Sequence, residues 1–309
     1  MKKRDLIRLK DLSKEDILKI FKLSQQLKKN PKLYKDSLKG KSLGLIFQKP
    51  SNRTRVSFEV GISQLGGNCI YLGPDEINLG VRETTHDVAK TLSRYLSGII
   101  ARTFSHDDIK DLAKYASIPI INGLSDVAHP CQALTDIFSV FEKFKKLQGL
   151  TMAYIGDGNN VCQSLMVGCS KVGIHLKVAT PVGYGPRKDA LETASIFAKQ
   201  SKAIVEVGHN PKEAVKGADV IYTDTWVSMG QEEETQKRLH DFEGFQVNAD
   251  LVKGANKDFI FMHCLPAHRG QEVTDAVIDG KHSIIFDQAE NRLHVQKAIL
   301  IFLLAKDKK

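Results

Sequence analysis

The 309-residue chain has no apolar run approaching the roughly 18 residues that cross a bilayer, so no membrane-spanning helix is expected. Its basic start, Met-Lys-Lys-Arg-Asp-Leu-Ile, leads into polar residues rather than an apolar stretch with a small-residue cleavage site, which argues against secretion. Cysteine is sparse. Cys69, Cys131, Cys162, Cys169 and Cys264 are scattered and odd in number, which excludes a disulfide scaffold and makes the reducing cytoplasm the expected location. The basic clusters Met1–Arg8, Lys28–Lys41 and Lys306–Lys309 hold a single aromatic residue, Tyr34, too few for a base-stacking platform. Fixed-period repeats and low-complexity tracts are also missing.

What is present suits a globular protein with a sizeable core: 42% hydrophobic and 26% charged residues, with a net charge of +9. At about 150 residues per domain, the length predicts two domains. The positive balance fits nucleic acid as a partner or an enzyme for anionic metabolites, and charge alone does not choose.

Periodicity predicts a first helix over Ser13–Lys29, with Ser13 as its cap and Asp16 three residues on. Strands are expected at Leu43–Phe47, Cys69–Leu72, Gly98–Arg102 and Pro119–Asn122, with helices at Arg53–Leu65, Thr85–Leu96 and Asp107–Tyr115. A long helix, Cys131–Lys146, should end the first domain, placed at residues 1–145. The second, residues 146–309, repeats the rhythm with strands near Met152–Ile155, His175–Ala179, Ile204–Val207, Val220–Thr223, Ile260–Met262 and Ser283–Phe286. Continuous apolar strand runs separated by crossover-length segments predict an α/β protein of two doubly wound domains, with mostly parallel sheets covered on both faces. The apolar helix from about Arg292 to Leu304 can return to pack on the first domain. The polar stretch Gln231–Arg238 reads as either a mobile loop or an exposed helix start.

Three motif readings fail. Gly156-Asp157-Gly158-Asn159-Asn160-Val161 opens a helix after a strand, but Val161 replaces the third glycine of a dinucleotide fingerprint. The next strand also ends in Val178-Ala179-Thr180-Pro181, without the acidic residue that would hold a ribose. Gly40-Lys41-Ser42 precedes a strand, not the helix a phosphate loop requires. His263, Cys264 and His268 lack the spacing of a tetrahedral metal site; no metal and no cofactor is expected.

Ser51-Asn52-Arg53-Thr54-Arg55 lies at a strand-to-helix junction, where backbone N–H groups, hydroxyls and guanidinium forks can meet one anion, and phosphate suits that chemistry. Arg102 and His129-Pro130-Cys131-Gln132 follow other strands, at the end where open α/β sheets build their sites. Thr54, Arg102 and His129 could converge on a carbonyl oxygen and stabilise the negative charge that grows there as a nucleophile attacks. In the second half, Asn160, Asp224, Ser228 and the backbone around Met229 suit a zwitterionic amino acid, with Asp224 able to pair an ammonium group. Helix capping accounts for Asp224 and Ser228 as well.

These motifs, together with Ala101-Arg102-Thr103-Phe104, Asp224-Thr225-Trp226-Val227-Ser228-Met229-Gly230, His263-Cys264-Leu265-Pro266-Ala267 and Phe286–His294, resemble the ornithine branch of the aspartate/ornithine carbamoyltransferase family over nearly the whole chain. The resemblance implies that carbamoyl phosphate is held by Ser51, Asn52, Arg53, Thr54, Asn78, Arg102, His129, Gln132, Cys264, Leu265 and Arg292. It implies that L-ornithine is held by Asn160, Asp224, Ser228, Met229, Cys264 and Leu265. Arg102, His129, Thr54, Cys264 and Arg292 would then act in catalysis. It also implies a homotrimer or a higher assembly of trimers, with neither nucleic acid nor membrane as partner. Asn52 stands where the family often has Thr, Thr84 where Ser is common, and Asn78 replaces a Gln expected to reach a neighbouring subunit's phosphate site. An acidic acceptor would meet Asp224 poorly, which separates the aspartate branch; putrescine and N-acylated ornithine are the closer competing acceptors.

Overall fold

The computed structural model describes residues 3–228 and 232–305. It divides into two compact units. One comprises the described residues up to Thr135 together with those from Glu290 onward; the other is Asp136–Ala289. The first division falls within the helix Pro130–Phe144 and the second within the helix Ile285–Leu304.

In the first unit, β1 (Ser42–Phe47), β2 (Asn68–Leu72), β3 (Gly98–Arg102) and β4 (Ile120–Leu124) form a parallel sheet in the order β2-β1-β3-β4. In the second, β5 (Thr151–Ile155), β6 (His175–Ala179), β7 (Val205–Gly208), β8 (Val220–Thr223) and β9 (Ile260–His263) are likewise all parallel, in the order β7-β6-β5-β8-β9. The expected α/β architecture is therefore present. β1, β3, β5 and β8 are buried almost throughout, which is why they read as continuous apolar runs rather than alternating ones.

Each sheet reverses its winding once. After β1 the chain moves outward to β2 and then returns across β1 to β3; after β5 it moves to β6 and β7 and then returns to β8. The registers Phe47↔Arg102 and Ile155↔Thr223 place the carboxyl ends of each such strand pair side by side. In open α/β sheets, loops leaving such a strand pair diverge to opposite faces, and ligands bind in the crevice between them.

Local signals account for much of the rest. The helix Lys14–Lys29 begins with the reciprocal cap expected at Ser13: the Asp16 N–H donates to Ser13 Oγ at 3.1 Å, and the Ser13 N–H donates to Asp16 Oδ2 at 3.0 Å. The strand expected at Ser283–Phe286 is not formed. Ser283 makes one bridge to Phe261, and the helix Ile285–Leu304 has begun two residues later. A short apolar run cannot by itself distinguish a buried strand from the first turn of a helix. Of the polar stretch Gln231–Arg238, Gln231 lies outside the described residues; Glu232–Glu234 is a short 3-10 turn that leads into the helix Thr235–Asp241. Arg238 in that helix is buried, donating from Nη1 to Asp157 Oδ2 at 2.8 Å and to the Trp226 carbonyl at 2.9 Å. The helix-start reading therefore holds for the described part, since a buried arginine paired with Asp157 and the Trp226 carbonyl anchors it. Among the described residues no helix is long and apolar enough to cross a membrane.

Candidate active site

In the first unit, the loop after β1 delivers Ser51 and Asn52 to the start of the helix Arg53–Gln64. The Asn52 side chain makes no cap bond to that helix, so its first N–H groups remain available to an anion. Between Ala101 and Arg102 the β3–β4 register shifts, from Ala101↔Asn122 to Arg102↔Leu124, a bulge that re-aims the side chain leaving β3. Gly123 lies in the skipped position. A Cβ there would come within 3.3 Å of both the Ala101 carbonyl oxygen and Ile100 Cγ2, so glycine suits the close packing of the bulge, with Thr54 Cγ2 beside it at 3.6 Å.

The turn before the helix Pro130–Phe144 is held by its own hydrogen bonds. The Ser125 N–H donates to the Ala128 carbonyl at 2.9 Å, and the Ala128 N–H donates to Ser125 Oγ at 3.2 Å. This fixes His129. Arg292, from the C-terminal helix, donates from Nη1 to Gln132 Oε1 and from Nη2 to Thr54 Oγ1, both at 2.6 Å. Thr54, Arg102, His129, Gln132 and Arg292 are all buried.

The electrostatics of this cluster are one-sided. Burial pulls the Arg102 guanidinium down to about 10, and Arg292 and Arg53 beside it push in the same direction. Burial also holds His129 well below the usual histidine range, reinforced by Arg292, Arg102 and Arg53. Three guanidinium groups and a neutral imidazole thus share a desolvated crevice, an arrangement stabilised by a multiply charged anion. Cys131, pushed up to about 12 by burial, remains a thiol.

The cluster does not include every sequence candidate. Arg55 turns away, donating to Glu59 Oε1 at 2.8 Å and stacking on Tyr71 with its guanidinium carbon 3.5 Å from the ring centroid. Asn78 ends the short helix Pro74–Ile77 in a left-handed conformation, φ 42°, with its carbonyl accepting from Val81 and Arg82.

In the second unit, β5 runs into Gly156, whose φ is 137°, and Gly158, where a Cβ would lie 2.3 Å from the Pro186 nitrogen. Glycine at Gly158 is a requirement of close backbone approach. Asn159 caps the helix Asn160–Val172: its Oδ1 accepts from the Val161 and Cys162 N–H groups, and its Nδ2 donates to Asp224 Oδ2 at 2.7 Å. Asn159 was not singled out in sequence, although it lies inside the Gly156–Asn160 motif. The sequence candidate Asn160 is the next residue, half-buried in the first helical turn.

Asp224 follows β8, and its Oδ1 accepts the Cys264 thiol at 2.9 Å. Burial first, then Asp224 and Asp136, pushes the Cys264 thiol well above its ordinary range, so it stays protonated. Leu265 follows with φ 59°, its N–H donating to His263 Nδ1 at 2.9 Å. Ser228 is half-buried four residues beyond Asp224, and Met229 lies outside the described residues.

Asp224, His263 and Cys264 bring potential ligand atoms within 4.8 Å of one another. Both ring nitrogens of His263 are already committed, Nδ1 accepting from the Leu265 N–H and Nε2 standing 3.1 Å from Glu272 Oε1. A histidine with no nitrogen to spare and a thiol held in its protonated form make a poor metal site.

Both halves of the chain match known families. Residues 4–142 match the family model described as aspartate/ornithine carbamoyltransferase, carbamoyl-P binding domain, and residues 148–303 match that of the Asp/Orn binding domain. The chain belongs to the aspartate/ornithine carbamoyltransferase family. It is 53% identical to the ornithine carbamoyltransferase of Thermococcus kodakarensis over 97% of this chain and 96% of that protein. With the enzyme of that name from Pyrococcus horikoshii it shares 52%, covering 98% and 96%. The solved ornithine carbamoyltransferase from Pyrococcus furiosus superposes with a TM-score of 0.95 at 51% identity, covering 97% of both chains.

This carbamoyltransferase-family chain should lose stability in mild acid. His106 accepts from Arg8 Nε at 3.0 Å and lies 2.8 Å from Ser125 Oγ, and burial lowers it to about 4 from 6.5. Between those values the unfolded chain takes up a proton that the fold refuses, so stability falls as pH drops from about 6.5 towards 4. His106 and His129 both contribute in this direction, because burial disfavours the protonated form of each. Melting temperatures measured across that range should decline steeply; a flat profile above pH 4.5 would contradict the buried neutral histidines.

Proposed function

We propose that this chain transfers the carbamoyl group of carbamoyl phosphate to the side-chain amine of L-ornithine, giving L-citrulline and phosphate. The observation that carries the reading is the buried cluster in which Arg102 and His129 are faced by Arg292 and Arg53 beside an uncapped helix start. It suits a doubly charged phosphate attached to a polarised carbonyl.

Ser51, Asn52, Arg53, Thr54 and Arg102 take the phosphate, and Gln132 takes the carbamoyl amide. The carbonyl oxygen points at Thr54, Arg102 and His129. Because His129 is neutral, it donates a hydrogen bond to the developing oxyanion without needing to be protonated first. Arg292, held by Thr54 and Gln132, contacts the carbamoyl end. On the acceptor side, Asp224 pairs the α-ammonium of ornithine, Asn160, Ser228 and Met229 contact the amino acid, and Cys264 with Leu265 positions the side-chain amine.

The amine must be neutral to attack, although an alkyl ammonium ordinarily titrates near 10.4, as lysine does. Removal from water favours the neutral form. The amine nitrogen bonds to the carbonyl carbon and forms a tetrahedral intermediate. Its collapse breaks the bond to the phosphate oxygen, and the departing phosphate accepts the amine proton. Cys264 acts as a positioning thiol, since the donor already carries its leaving group. No step calls for a metal or a cofactor.

We assign the donor role to the first unit and the acceptor role to the second, and place the enzyme in the cytoplasm as a homotrimer or a higher assembly of trimers, with Asn78 serving a neighbouring subunit's donor site. Steady-state turnover with carbamoyl phosphate against L-ornithine, putrescine, N-acetylornithine and L-aspartate tests the reading. L-Ornithine should be preferred by kcat/KM and retain that preference after exhaustive chelation. Preference for another acceptor, or loss of turnover with the chelator, would overturn it.

A further inference from the structure

Behind the Asp224–Cys264 pair, three polar side chains with no role in the reaction as derived are buried in the second unit: Asp136, Tyr222 and Gln288. The Tyr222 hydroxyl donates to Asp136 Oδ2 at 3.0 Å, and Gln288 Nε2 donates to Asp136 Oδ1 at 2.7 Å. Gln288 then uses its other end: Oε1 accepts the backbone N–H of His263 at 3.1 Å, the residue immediately before Cys264. The same Tyr222 hydroxyl is near enough to the Cys264 thiol to act on its titration.

A phenol has one proton and two claimants for it here, a carboxylate and a sulfur. The carboxylate is the stronger acceptor. With the Tyr222 proton committed to Asp136, the thiol keeps its own and donates to Asp224 Oδ1 at 2.9 Å, which orients the carboxylate proposed to receive the substrate ammonium. Tyr222 is itself held by stacking on Tyr154, with centroids 5.7 Å apart.

We propose that Asp136 is a positioning residue for the acceptor site, its carboxylate holding the Tyr222 hydroxyl and the Gln288 amide at once so that the His263 backbone is fixed and Cys264 serves Asp224 as a donor. The titratable groups facing Cys264 are Asp224, Asp136, Tyr222, Tyr154 and His263, and among them only Asp224 is assigned a substrate contact, so Asp136 can be changed with the substrate contacts left in place. The proposal rests on the ornithine-transfer reading for its kinetic consequence but not for its chemical one.

Asp136→Asn keeps the shape and removes the charge. The intact enzyme is treated with iodoacetamide across a pH series, and modification of the Cys264 peptide is followed by mass spectrometry. The variant's profile should move to lower pH, because the amide no longer monopolises the Tyr222 proton and the negative charge near the thiol is gone. Its KM for L-ornithine should rise at least about tenfold, with the KM for carbamoyl phosphate within about twofold of the parent. If Asp136→Asn does not fold, Tyr222→Phe decides: its Cys264 profile should not move to higher pH, since the hydroxyl proton was never the sulfur's. An unshifted profile for Asp136→Asn, an upward shift for Tyr222→Phe, or equal rises in both KM values would overturn the proposal. The alkylation series needs no substrate, so a chain that failed to carbamoylate ornithine would refute the functional reading while leaving this result legible.

Discussion

Arg102→Ala is expected to lower kcat on the order of 10²–10³-fold with carbamoyl phosphate and L-ornithine, the cost of removing one donor aimed at a developing oxyanion. The substitution removes a desolvated guanidinium that repels Arg53 and Arg292 and is lowered to about 10. Activity should therefore collapse in the variant. Inorganic phosphate sharpens the test. An anion that binds only the folded parent stabilises it by about 2.7 kcal/mol at a hundred times its Kd, and most of that increment should vanish with Arg102. Lysine should not restore activity, because a point charge cannot reproduce the guanidinium fork. Retention of kcat within about fivefold of the parent would show that Arg102 is not aimed at the reacting carbonyl.

Asp224→Ala should act on the other substrate. Its carboxylate is buried and held from both sides, by Asn159 Nδ2 at 2.7 Å and the Cys264 thiol at 2.9 Å, so it meets an incoming ammonium with little reorganisation. Removing it leaves that ammonium unpaired in a desolvated site, and kcat/KM for L-ornithine should fall on the order of 10²–10³-fold. Phosphate-induced stabilisation should persist, which separates the two variants in one thermal-melting experiment. Equal and small kinetic effects from Arg102→Ala and Asp224→Ala would contradict the division of labour between donor and acceptor clusters. Asn159→Ala would weaken both the helix cap and the grip on Asp224, since one side chain performs both tasks.

Much of this was legible from local pattern. Buried parallel strands are apolar along their whole length, and helix starts carry their own caps, so β1 to β9 were located within a residue or two, and Ser13 was identified as a cap. Ser51–Thr54, Arg102, His129 and Asp224 stood out because polar and charged groups cluster where an apolar strand ends. The run Ser283–Phe286 misled, since three apolar residues serve equally well as a strand or as the start of a helix. Arg55 misled as well: neighbours in sequence on a helix point in different directions, and Glu59 one turn on captures it.

The sequence by itself determined the architecture and the chemistry available at each strand end, because both follow from residue type and spacing over a few positions. Which of those groups meet was decided only by tertiary structure. Arg292 reaches Thr54 across 238 positions, and Gln288 reaches Asp136 across 152. Hydrophobic periodicity reports which face of an element is covered; it carries no record of the distant segment that covers it, and it is there that these buried polar groups find their partners.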